Sequence, residues 1–129
     1  MRSRPAAVAA AALLCLVPAA TAAAESHPAE QRGLLLSVSG AQNTWIRGVH
    51  LRCSPAGGSH PDPLAACNAL AWARGDFDAL PGEPRACTKQ HDPVTATARG
   101  SRHGQTVRWT RTFANACMLD AQTGAVFRF

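Results

Sequence analysis

Apolar and polar positions alternate along this chain with two different periods. Leu34, Leu36 and Val38 alternate with Leu35, Ser37 and Ser39, a period of two that predicts a strand. Leu35 falls on the otherwise polar face of that strand. Gly40 to Thr44 is a turn-rich break. Val49, Leu51 and Cys53 alternate with His50 and Arg52, predicting a second strand that Pro55 to Gly58 ends. The period then becomes helical. Asp62 can cap the first turn, Pro63 suits the first helical position, and Leu64, Cys67, Leu70 and Ala71 recur at helical spacing. Gly75 suits the left-handed position that closes a helix.

Asp76 to Arg85 contains Pro81, Gly82 and Pro84 and reads as loop. Val94, Ala96 and Ala98 alternate with Thr95, Thr97 and Arg99, and Gly100 to Gly104 reads as a hairpin connection. Val107, Trp109 and Phe113 mark the apolar face of the returning strand. Asn115 to Asp120 allows one helical turn, and Ala125, Phe127 and Phe129 suit a closing strand. The sum is an α+β domain: a five-stranded antiparallel sheet with one longer and one short helix.

The first residues follow no such period. Arg2 and Arg4 precede an uncharged apolar run from Ala6 to Val17, and small residues at Ala20, Ala22 and Ala24 offer cleavage sites. This is the pattern of a secretory signal over residues 1–24, and the run is short of the roughly 20 residues a membrane span needs. No other stretch is long and apolar enough to span, so no membrane role is expected. Residues 25–33 read as a polar, flexible segment, leaving 34–129 as the single domain.

Export changes the meaning of the cysteines. Cys53, Cys67, Cys87 and Cys117 remain after cleavage, an even count that reads as two disulfides. Spacing alone leaves all three pairings open. Gaps of 14, 20 and 30 residues lack the close pairs of a zinc site, so no metal or cofactor is expected. The staples are needed physically. Only 21 Val, Ile, Leu, Phe and Trp residues serve the 105 residues that follow the signal.

The charge invites a nucleic-acid reading that the rest of the sequence opposes. The whole chain carries +5, with 12 arginines and a single lysine, Lys89. Arg99, Arg102, Arg108 and Arg111 gather around the hairpin. After cleavage the charge is only +3 (11 bases, 8 acids), and a solvated sheet face accounts for the cluster, so no nucleic-acid partner is expected. An enzyme is not expected either. His50, His60, His91 and His103 lie in turns or on polar strand faces. No nucleophile elbow, H-E-x-x-H or phosphate loop is present.

One polar segment stands apart. Pro84 to Pro93 has prolines near both ends, a cysteine inside and the lone lysine near its centre. On spacing it reads as an ordinary connection. Its alternative is an exposed loop held extended, the form in which a protease cleft binds a strand, with the ordering cost of docking already met.

Cys87-Thr88-Lys89-Gln90-His91-Asp92-Pro93-Val94 resembles the reactive-site segment of the subtilisin inhibitor-like family of secreted bacterial serine-protease inhibitors. The resemblance extends through Leu51–Pro55, Ser59–Pro61, Ala65–Cys67, Gly75–Leu80, Arg111–Cys117 and Gly124–Phe129. His91 departs from it, standing where the family often carries Tyr, and so does the hairpin tip from Arg99 to Gly104.

The resemblance implies bridges Cys53–Cys67 and Cys87–Cys117 and a scissile bond Lys89–Gln90. It implies protease contacts from Ala86, Cys87, Thr88, His91 and Asp92, and a homodimer binding one protease per subunit. Inhibition would be that of a very slowly cleaved substrate. Asn115, two residues before Cys117, is then expected to support the loop through its side-chain amide. Lys89 suits a trypsin-like pocket with an acidic floor, and a broad subtilisin-like pocket also accepts it. The competing reading is a secreted, disulfide-stapled binding module that inhibits no protease.

Overall fold

The computed structural model describes residues 32–129, so the expected signal and residues 25–31 lie outside it. Strands β1 (Leu34–Gly40), β2 (Ile46–Cys53), β3 (Ala56–Gly58), β4 (Val94–Arg102) and β5 (Gln105–Phe113) form one sheet in the order β3-β2-β1-β4-β5, every pair antiparallel. Helix α1 spans Pro63–Trp72 and α2 spans Ala116–Thr123.

The period-two pattern determines which face of the sheet is covered. Leu34, Leu36 and Val38 turn inward beside Leu51 of β2 and Val94, Ala96 and Ala98 of β4. Ala66, Cys67 and Leu70 of α1 and Ala73 just after it, with Leu119, Val126 and Phe127, complete the core on that side. Small Ala96 and Ala98 of β4 are fully buried beneath this cover. Leu36 and Leu70 are fully buried, and truncating either to alanine is worth about 2–5 kcal/mol. Trp109 of β5 lies against both Phe77 and Phe127, with ring centroids 5.3 and 5.5 Å away. Its Nε1 donates to Asp78 Oδ1 at 3.1 Å, so its polar end is satisfied at the rim.

Helix α1 begins as its sequence predicts. The Asp62 carboxylate accepts from Ala65 N at 3.1 Å, and Gly75 takes φ +80° past the helix end. Its buried face differs from the expected one. Leu64 is 62% exposed and Trp72 is 78% exposed, and Ala71 also faces out. The disulfide Cys53–Cys67 sets this rotation by tying α1 to the end of β2, with Cα atoms 5.4 Å apart.

Three further expectations are corrected. Ala125–Phe129 is not a strand: Gly124–Phe127 forms a 3-10 turn after Gly124 takes φ +56°. Consecutive Val126 and Phe127 are both buried there, which a half-exposed strand does not allow. The fifth strand is instead β3, inside the turn-rich run expected to end β2. His60 lies in the connection before α1, as expected of a turn residue, and is buried there. Its Nδ1 accepts from Asp62 N at 3.0 Å and its Nε2 donates to the Val126 carbonyl at 3.1 Å, bridging the start of α1 to the C-terminal turn. Helix α2, with eight residues, is longer than the single turn expected.

Candidate functional site

Between the 3-10 turn Phe77–Ala79 and β4 the chain has no regular structure, yet it is not loose. It runs along α2, antiparallel to it, and meets it at successive points. Gly82 lies so close to the Ala121 carbonyl that a β-carbon would collide with it, and Pro81 approaches Gly124 in the same way. Next comes charge. Arg85 Nη2 pairs with Asp120 Oδ2 at 2.6 Å. Arg128 donates through Nη1 and Nη2 to the two oxygens of Glu83 at 3.2 and 2.9 Å, and through Nε to Asp120 Oδ1 at 2.7 Å. Hydrogen bonds from Arg128 hold the Glu83 carboxyl below its ordinary pKa range, with Coulombic attraction adding to them.

One step further along, Cys87 is bridged to Cys117, with Cα atoms 5.8 Å apart. Cys117 and Asp120 are three apart on one face of α2, which is why loop residues two apart, Cys87 and Arg85, can both engage it. At the apex Asn115 takes over. Its Nδ2 donates to the Thr88 carbonyl at 3.2 Å and to the Gln90 carbonyl at 2.8 Å. Its Oδ1 accepts from Met118 N at 2.9 Å, capping α2. The side chain therefore serves loop and helix at once, from a position only 8% exposed. Beyond the apex Asp92 N donates to the Ala114 carbonyl at 3.0 Å, and the chain enters β4.

The sequence-predicted residues fall into place as one surface. Ala86, Thr88, Lys89, Gln90, His91 and Asp92 are all exposed, and Cys87 is half-buried beneath them. The backbone is anchored on both sides of Lys89, and Lys89 itself is exposed. Sequence reasoning missed the ring of Glu83, Arg85, Asp120 and Arg128. Its members are up to 45 residues apart, and nothing local marks which charges will meet. Among the described residues no group of three or more His, Cys, Asp or Glu gathers at metal-binding distance.

An exposed loop pre-bent and anchored on both sides of one residue defines a class: inhibitors that present a fixed strand to a protease cleft. Residues 30–115 match the family described as subtilisin inhibitor-like, and the chain belongs to that family. It is 49% identical over 88 residues to subtilisin inhibitor-like protein 5 of Streptomyces fradiae, covering 67% of this chain and 82% of that one. It is 41% identical over 127 residues to kexstatin-1 of Streptomyces platensis, covering 88% of each. Among solved structures it is similar to Streptomyces caespitosus sermetstatin, crystallised in complex with Bacillus licheniformis subtilisin. That match has a TM-score of 0.61 and 34% identity, covering 75% of this chain and 97% of that one. As a member of the family this is a secreted serine-protease inhibitor and not an enzyme.

Proposed function

We propose that the protein inhibits its target as a substrate that is cut very slowly and re-ligated, with Lys89–Gln90 as the scissile bond. The observation that carries this reading is Asn115. Its amide holds one carbonyl on each side of that bond, Thr88 O and Gln90 O. After cleavage the new ends would remain in place. Cys87–Cys117 retains the upstream fragment, and the bond from Asp92 N to Ala114 O retains the downstream one. Ends held at contact distance react at a high effective concentration, so re-ligation competes with release.

Ala86, Cys87, Thr88, His91 and Asp92 supply the flanking contacts with the cleft. Lys89 enters the specificity pocket, its methylenes on the walls and its ammonium at the floor. An acidic floor makes trypsin-like enzymes the targets this residue fits best. The sermetstatin complex supports subtilisin-like enzymes as well. The active species is a homodimer. Leu35, 44% exposed on the uncovered face of the sheet among Ser37, Ser39, Thr95 and Thr97, is the apolar contact across its two-fold.

Titration of trypsin and of subtilisin with the refolded mature protein tests the reading. Stoichiometric loss of activity is expected for both. Full activity of both enzymes at an equimolar amount would leave only the binding-module alternative.

A further inference from the structure

The ring of four charges beside the loop has a role that neither the disulfide nor Asn115 supplies. Glu83, Arg128, Asp120 and Arg85 close on one another with alternating sign, the last side being Arg85 Nη2 to Glu83 Oε2 at 3.6 Å. Two members lie on the upstream leg of the loop, one on α2 and one next to the C-terminal residue. Isolated exposed pairs of this kind contribute little to folding, but a bidentate arginine within a network fixes geometry. Asp120 supplies the rigid corner. Its side chain is 22% exposed, against 46% for Arg85, 44% for Arg128 and 57% for Glu83. Among the described residues no other hydrogen bond or ion pair fastens a side chain from Glu83 to Ala86, the stretch that leads into Cys87 and Lys89.

We infer that Arg128, acting through Glu83 and Asp120, is a positioning residue of the reactive loop: the ring orders the upstream leg and so limits cleavage of Lys89–Gln90. This rests on the reading of the loop given above. Arg128 need not touch the protease. It sets the direction in which residues 83–86 approach the bridge, and loss of that direction lets the cleaved upstream end leave its re-ligation geometry.

The test compares Arg128→Gln, Arg128→Lys and a charge-matched control on β2, Arg47→Gln, whose guanidinium lies over the ring of Trp45. Two quantities are read: amide order parameters of Arg85, Ala86 and Thr88 in the free protein, and the hydrolysis rate of Lys89–Gln90 during incubation with trypsin.

The glutamine variant should lower the order parameters and speed hydrolysis about threefold to tenfold, with association rate and thermal midpoint near the parent's. Lysine should fall between, because it keeps the charge and loses the fork. The control should match the parent. In the parent, 1 M salt should loosen the same three amides, and in the glutamine variant, which keeps only the Arg85 pairs, it should loosen them less.

Parent-like order and hydrolysis in Arg128→Gln would overturn the inference, as would a loss of order spread over the whole domain. If the parent inhibits no protease, the functional reading fails by itself, and the order parameters still decide whether the ring orders the leg.

Discussion

Asn115 does two jobs, and one substitution separates them. Asn115→Ser keeps an oxygen that caps α2 about as well as asparagine, but it is too short to reach the loop and removes both Nδ2 donors. Each bond is worth about 0.5–1.5 kcal/mol net, so about 1–3 kcal/mol of loop anchoring is lost. That corresponds to roughly 5- to 150-fold. The lower half of the range is expected, because the freed carbonyls at the exposed apex regain water. Asn115→Ala loses the same anchoring and the cap, worth about 1 kcal/mol more, or about 4–8 °C in melting midpoint for a domain of this size.

The assay incubates each variant with equimolar trypsin and follows cleavage at Lys89–Gln90 by mass, beside a thermal melt of the free protein. Both variants should be cleaved faster than the parent, by similar factors. Both should melt below the parent, and the alanine variant about 4–8 °C below the serine variant. If Asn115→Ser is cleaved at the parent's rate, the amide does not hold the ends and its sole duty is the cap.

Lys89→Met keeps the apolar stem and removes the charge. It should weaken trypsin inhibition by at least about 30-fold, from the roughly 2–5 kcal/mol left uncompensated when one partner of a desolvated pair is removed. Subtilisin inhibition should change much less, and Arg85→Met should stay within about tenfold for trypsin; inhibition constants read all three, and a parent-like Lys89→Met would misplace the bond. Replacing Cys87 and Cys117 together by serine should abolish durable inhibition while circular dichroism retains most of the fold, since the core bridge Cys53–Cys67 remains. The Glu83 carboxyl, held low by Arg128, contributes above its unfolded pKa, and its contribution is lost as pH falls through its lowered folded value. Loop order should therefore persist through mild acidity and decline below it, as order parameters followed down in pH can check. Light scattering at micromolar concentration should give the parent the mass of two chains and Leu35→Lys the mass of one, and a one-chain mass for the parent would refute the proposed homodimer.

Local chemistry was enough for the elements whose neighbours in sequence determine them. The alternation at Leu34, Leu36 and Val38 and at Val94, Ala96 and Ala98 set both the strands and their inward faces, because a pleated strand allows no other division of its side chains. Asp62, Pro63 and Gly75 bounded α1 because caps act over one turn. The loop around Lys89 was legible as an exposed polar segment, and its likeness to a known family supplied the pairing of bridges and the scissile bond proposed above.

Only the folded chain decided the rest, wherever a residue's surroundings come from far along the sequence. The rotation that leaves Leu64 and Trp72 in water follows from the bridge to β2, and no helical period records it. The alternation of Ala125, Phe127 and Phe129 imitates a strand, but the chain there closes over α1 and β1 in a 3-10 turn with consecutive residues buried. The dual role of Asn115 and the ring of Glu83, Arg85, Asp120 and Arg128 depend on α2 lying beside the loop. Charges and amides reach partners only a few ångströms away, and which partner arrives is a matter of packing, not of spacing in the chain.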